Sequence, residues 1–241
     1  MALDVSDLLL WYDEHLLVIN KPAGLLTLPD GYDPSLPHVR QVLEPHFGRL
    51  WIVHRLDKET SGVLALARNA PAHRALNTQF EQGAARKIYH ALVCGPVEWE
   101  GKTVDLPLRP NGDRQHRTVV DHQKGKPAVT HLRVLERFTM LVLLEAAPET
   151  GRTHQIRVHL AKQGLPILAD QLYGGQPGMT FVGIDIGAEP VIHNAPELDH
   201  LALHAHSLTI QHPMTAEKLT VSAPYPTDLA EVIKWLRKNA A

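Results

Sequence analysis

Apolar positions along the chain switch between two spacings, and each switch marks an element. LLLWYDEHLLVINKP (8–22) reads as two short strands about an Asp13-Glu14 turn, closed by Lys21-Pro22. From Pro37 to His46, Val39, Val42 and Leu43 recur at helical spacing. LWIVH (50–54) and GVLALAR (62–68) are apolar strand-like runs flanking a polar segment from Arg55 to Ser61. APAHRALNTQFEQG (70–83) sets Leu76 and Phe80 four apart and places Gly83 past its end, a helix with its stop signal. ARKIYHALVCG (85–95) alternates as a strand does, and THLRVLERF with MLVLLEAAP (130–148) predicts a hairpin through Thr139.

The second half continues in the same vein. RTHQIRVHLAKQG (152–164) is helical, with Ile156 and Leu160 on one face and Gly164 as its stop. LALHAHSLTI and KLTVSAP are late strands. TDLAEVIKWLRKN (227–239) is an amphipathic helix with Leu229, Ile233 and Leu236 on one side. The Gly- and Pro-rich stretch from Gly174 to Pro196 reads as a surface excursion. Strands outnumber helices and do not alternate with them as in a doubly wound sheet. The pattern therefore predicts an α+β fold on a mixed, mostly antiparallel central sheet flanked by helices and loops.

Composition narrows the class. With 241 residues, 44% hydrophobic and 21% charged, the chain suits one globular domain and excludes disorder. A lone Cys94 leaves no disulfide framework or multi-cysteine zinc site, and its apolar strand makes it a small buried hydrophobe. No apolar run reaches membrane-spanning length, and the first residues are acidic where a signal peptide is basic, so a soluble cytoplasmic protein is expected.

The net charge of −2 argues at first against a nucleic-acid partner. By segment, however, residues 1–50 carry 3 basic and 7 acidic side chains, 51–166 carry 17 and 11, and 167–241 carry 4 and 8. A +6 middle between two −4 flanks favours anions if the fold gathers it around one cleft, and otherwise merely solvates a surface.

Four segments could carry chemistry. His54-Arg55-Leu56-Asp57-Lys58-Glu59-Thr60-Ser61-Gly62 is a polar loop displayed between two strands, where catalytic groups often sit. Cations on both sides of Asp57 favour the ionised carboxylate that a nucleophile or permanent base needs, although such an Asp is also a common loop cap. Thr150 to Leu160 (TGRTHQIRVHL) places Arg152 and Arg157 at a loop-to-helix junction, suited to an anion or to an ordinary solvated first turn. In Arg86-Lys87-Ile88-Tyr89-His90, a strand puts Lys87 and Tyr89 on one face, so Tyr89 either stacks on a base or joins the core. Arg109 to Lys126 (RPNGDRQHRTVVDHQKGK) is a basic loop that includes Arg114 and Arg117 and suits a phosphate backbone. The 16 histidines raise the question of a metal. They are dispersed, no HExxH pattern occurs, and His154 and His159 are five apart, so no metal site is expected.

Taken in order, NKPAG, HRLDKETSG, RKIYHALV, GKPAVT, TGRTHQIRVHL and LALHAHSL resemble the RluA-type RNA pseudouridine synthases from about Trp11 to Pro224. The resemblance implies the pseudouridine synthase fold in a single domain over 1–241, its core about 11–224, followed by a helix about 226–239. It implies isomerisation of a uridine in structured RNA, tRNA or rRNA, at a loop position, with no cofactor or metal. Asp57 matches the essential carboxylate, which either attacks the ribose or takes its 2′ proton. Arg157 matches the active-site arginine expected to pair with it, and Tyr89 the tyrosine that stacks on the uracil. Arg55 is then expected near the extruded nucleotide. His54, Thr60, Ser61 and Gly62 would shape the loop, Lys21 and Pro22 would line the pocket rim, and Arg152, Arg114 and Arg117 would meet phosphates. Many members carry an N-terminal RNA-binding domain, whereas here the catalytic pattern begins almost at Met1. The 174–200 segment is longer than in compact members and reads either as a target-specific contact or, preferably, as a surface insertion. A monomer is expected. The rival readings are a non-catalytic RNA-binding or ribosome-assembly module on the same fold, and a metal-dependent hydrolase.

Overall fold

The computed structural model describes residues 4–174, 196–198 and 200–239. Most of the excursion expected over 174–196 lies outside the described residues. The chain forms two compact units: one runs through Ile88 and takes up His204–Pro224, and the other comprises Tyr89–Leu203 with the residues from Tyr225 on.

The first unit is built on β1 (Leu9–Tyr12), β2 (Leu16–Lys21), β3 (Trp51–Ile52), β4 (Ser61–Ala67), β11 (Leu203–Gln211) and β12 (Lys218–Ser222). β1 and β2 form the expected hairpin, its turn tied by Asp13, whose carboxylate accepts the His15 and Leu16 N–H groups at 2.7 and 2.8 Å. β2 and β3 both pair antiparallel to β4, and β12 pairs antiparallel to β11. β4 and β11 run parallel through His204–Ser61 and Ala205–Gly62. All seven β4 residues are buried, which is why SGVLALA reads as a continuous apolar run rather than an alternation. α1 (Val5–Leu8), α2 (Val39–Phe47) and α3 (Ala70–Glu81) complete the unit. Asn69 caps α3 by accepting the Ala72 N–H at 3.0 Å, and Gly83 beyond its end has φ 71°. Leu16, Val18, Val63, Ala65, Leu76, Leu208 and Ile210 make the core.

In the second unit β5 (Arg86–Cys94), which crosses the boundary between the units, pairs with β10 (Leu141–Pro148), β10 with β9 (Val129–Arg137) and β9 with β6 (Gly101–Asp105), all antiparallel. β7 (Leu108–Arg109) and β8 (Val119–Val120) form a separate short pair at the base of the basic loop. α4 (Gln155–Lys162) and α5 (Thr227–Asn239) lie where the spacing predicts them. Leu229, Val232, Ile233 and Leu236 of α5 are buried in a core with Leu92, Leu144, Ile156 and Leu160. β6, β7 and β8 escape the pattern because they are short or nearly all polar; in β6 Val104 alone is buried. The pairing is thus mixed in the first unit, through the parallel β4–β11 pair, and antiparallel in the second, as expected of an α+β chain with a mostly antiparallel sheet.

Candidate active site

The loop between β3 and β4 is held on both sides of Asp57. Before it, Leu56 is buried and pairs with a side chain as though with a strand. Thr27 Oγ1 accepts the Leu56 N–H at 3.2 Å and donates to the Leu56 carbonyl at 2.8 Å. After it, the Lys58 carbonyl accepts from Gly24 N–H at 2.9 Å and from Lys21 Nζ at 3.1 Å. Thr60 is buried, and its N–H closes a turn onto the Asp57 carbonyl at 3.1 Å. The Asp57 backbone is therefore fixed by two anchors from the NKPAG segment and its sequel, leaving a half-buried carboxylate on a rigid support.

Lys21 is not at a rim. It is fully buried, and its ammonium donates to the carbonyls of Pro22, Leu25 and Lys58 at 2.8, 2.8 and 3.1 Å. Burial pulls it down to about 7, against the opposing pull of the Glu59 and Asp57 charges. Its chemistry is that of a clamp: three carbonyls with no partner among themselves are gathered on one cation.

His54 opens the loop. Its Nε2 accepts the Ala65 N–H at 2.9 Å, its ring stacks on Phe80 at 4.5 Å, and burial together with the Lys87 charge lowers it to about 3. It is a neutral structural acceptor. At the far end, Ser61 Oγ and His204 Nδ1 share a 2.9 Å hydrogen bond, and His204 Nε2 bonds the Ala223 carbonyl. Gly62 has φ 111°, and a Cβ there would lie 2.3 Å from the Ala205 carbonyl oxygen, so the close β4–β11 approach requires glycine. Arg55 is exposed.

The second unit supplies the other candidates. Tyr89 is half-buried on β5 opposite Ala146 of β10 and packs against the core. His90 beside it shares a hydrogen bond with the Tyr225 hydroxyl. Arg157 is buried on α4, and its Nε and Nη2 donate to the two oxygens of Asp170 at 2.9 and 2.8 Å. Such a fork fixes the plane of the guanidinium. Gln155, buried at the helix start, accepts from Thr150 Oγ1 and the Arg152 N–H and donates to Thr130 and the Val129 carbonyl, which seats the α4 entry on β9. His159 is likewise engaged, with Thr130 and the Leu106 carbonyl. Arg152 is exposed and reaches the Pro127 carbonyl at 3.1 Å.

In the basic loop, Arg109 pairs with Asp121 at 2.6 Å and Arg117 with Asp113 at 2.7 Å. Two of its cations are thus used to shape it, while Arg114, Lys124 and Lys126 are exposed. Burial pushes the Cys94 thiol up to about 11, which leaves it inert as a nucleophile at neutral pH. Among the described residues no group of three metal-ligating side chains forms, and no helix is long and apolar enough to cross a membrane. Thr27, Asp170 and Tyr173 belong to this architecture and escape sequence reasoning. Their only signal is position, close to the NKPAG block and within LADQLYGG.

Comparison with known proteins identifies the family. Residues 15–162 match the pattern of the family described as RNA pseudouridylate synthase. The chain is 37% identical over 247 residues to the ribosomal large subunit pseudouridine synthase D of Pseudomonas aeruginosa, covering 99% of this chain and 74% of that one. It is 39% identical to the protein of the same name from Xanthomonas campestris, with 99% and 72% covered. The solved structure of human RNA pseudouridylate synthase domain containing 4 superposes with a TM-score of 0.74 at 26% identity, over 95% of this chain and 92% of the human one. The match spans the Asp57 loop, β5 and all of α4, and on it the chain belongs to the RNA pseudouridylate synthase family of isomerases.

Proposed function

We propose that this synthase converts one uridine of ribosomal RNA to pseudouridine, with Asp57 as the essential carboxylate. The observation that carries the reading is the double anchoring of the Asp57 loop, by Thr27 on one side and Lys21 with Gly24 on the other. A carboxylate that must meet one sugar in one orientation gains most from a support that does not rearrange. Ribosomal RNA is favoured over transfer RNA because the bacterial relatives are named for the large ribosomal subunit.

The reaction is an isomerisation, so nothing is gained or lost overall. The bond from C1′ to N1 breaks, the uracil turns, C5 bonds to C1′, and the C5 proton leaves as N1 takes one up. Asp57 acts on the ribose, by attack or by removal of the 2′ proton. Tyr89 stacks on the uracil, and Arg157 supplies a fixed cation to the site. Arg55 contacts the RNA beside the reacting nucleotide, while Arg114 and Arg152 serve the phosphates; Arg117, expected among them, is instead taken up by Asp113 and the Leu172 carbonyl. Because the glycosidic bond is hidden in a stack, the base is extruded first, at a cost of about a few kcal/mol that is least in a loop. No cofactor is required.

Mapping pseudouridine across total RNA from cells with and without the gene tests this. Loss of a site in ribosomal RNA names the uridine. Unchanged maps, with no activity on any RNA pool, would favour a binding module instead.

A further inference from the structure

We propose that Asp170 and Tyr173 are positioning residues which fasten the basic loop to the guanidinium of Arg157, so that RNA held by the loop and the arginine share one rigid mount. The inference rests on Arg157 acting in the reaction. It begins with a turn after α4. Asp170 is 4% exposed, and besides the two bonds from Arg157 its Oδ1 accepts the Leu172 and Tyr173 N–H groups, each at 3.1 Å. Ala169 before it holds φ 61°, and the Gly174 N–H closes onto the Asp170 carbonyl at 2.7 Å. A non-glycine residue in that region signals a conformation over-determined by its surroundings.

The turn delivers Tyr173 to the same arginine. The guanidinium carbon lies 5.1 Å from the centre of its ring, so Arg157 is gripped in plane by a carboxylate and on its face by an aromatic ring. The hydroxyl of Tyr173 engages other groups. It accepts the Thr118 N–H at 3.0 Å and shares a 2.9 Å hydrogen bond with His154 Nδ1.

Thr118 is buried and ends the segment that Asp113 organises by accepting from the Gln115 and Arg117 backbones and from Arg117 Nε. Arg117 Nη1 adds a second tie to the turn, donating to the Leu172 carbonyl at 3.2 Å. The loop is thus fastened to the Asp170 turn at two points. Arg114, close by in the same segment and exposed, is left facing solvent as a phosphate ligand would be. A core needing only stability has no use for so many polar groups converging on one cation, each costly to bury unless satisfied.

Tyr173→Phe keeps the ring against the guanidinium and removes only the hydroxyl, while Asp170→Asn removes the charge that grips the fork. Each full-length variant is assayed under single turnover at saturating RNA, by tritium release from uridine labelled at C5, alongside equilibrium RNA binding and thermal melting, with Arg157→Lys as reference. The expected result is a fall of roughly tenfold in the saturating rate of each variant, the scale on which sub-ångström misplacement acts, with RNA affinity changed much less than the rate. A merely structural role would lower the melting temperature and leave the rate of the folded protein intact, and that result overturns the proposal. If Asp170→Asn does not fold, Tyr173→Phe alone decides. An inactive Arg157→Lys beside fully active Tyr173→Phe defeats this inference and spares the reading of Arg157; a fully active Arg157→Lys defeats that reading, and this inference with it.

Discussion

At Lys21 and His54 the protein places ionisable groups where water does not reach them well, and both are used as fixed hydrogen-bonding parts. Lys21 gathers three carbonyls, one of them next to Asp57, and His54 accepts a backbone N–H from β4. Burial, with the Lys87 charge, lowers His54 from its ordinary 6.5 to about 3. Because the folded-state value lies below the unfolded one, the unfolded chain takes the proton first as pH falls. Stability is complete above pH ~6.5 and is lost progressively toward pH ~3. His54 as a residue is only half-buried, which reduces the effect, so between pH 7 and 5 the protein is expected to lose about 1–2 kcal/mol more than His54→Gln does. Denaturant unfolding at the two pH values checks this, and equal losses would contradict it. Residue identity announces His54 and Asp57 as candidates but not what Lys21 does. Lysine is ordinarily exposed, and three carbonyl acceptors contributed by the fold do not show in a local pattern.

The elements are largely legible in the sequence, since α2, α3, α4, α5 and the β1–β2 and β9–β10 hairpins all carry strong periodicity or turn chemistry. What is not legible depends on pairings distant in sequence. The parallel β4–β11 pairing joins Gly62 to Ala205, and neither run shows it alone. Asp170 lies 13 positions from Arg157 in a turn whose residues look like any polar loop. The close approach of β4 and β11 yields its own prediction. Gly62→Ala would strain a backbone at φ 111° and drive a methyl against the Ala205 carbonyl. Destabilisation of about 2–4 kcal/mol is expected, by the mechanisms of backbone strain and overpacking, with loss of activity through movement of the adjoining Asp57 loop. A melting temperature equal to the parent's would show that β4 and β11 do not approach this closely.

Across the whole chain, a net charge of −2 conceals the basic stretch of 51–166, which holds Asp57, Tyr89, Arg157 and the loop of Arg109 to Lys126. Total charge misleads because RNA responds to the local field, and two of the loop's cations are matched by its own aspartates. RNA binding is accordingly expected to weaken steeply with salt. Replacing exposed Arg114 and Lys124 by Glu should lower affinity and flatten the dependence of log K on log salt, by roughly 0.7 for each phosphate that is no longer neutralised, without a change in melting temperature. An unaltered salt slope would remove the loop from the RNA interface.

The proposed mechanism rests above all on Asp57. The most direct test is tritium release from ribosomal RNA carrying uridine labelled at C5, with the parent and Asp57→Asn measured side by side for release and for binding. The predicted result is release by the parent and none by Asp57→Asn, which still binds the RNA as the parent does. Release by Asp57→Asn at a rate near the parent's would contradict it.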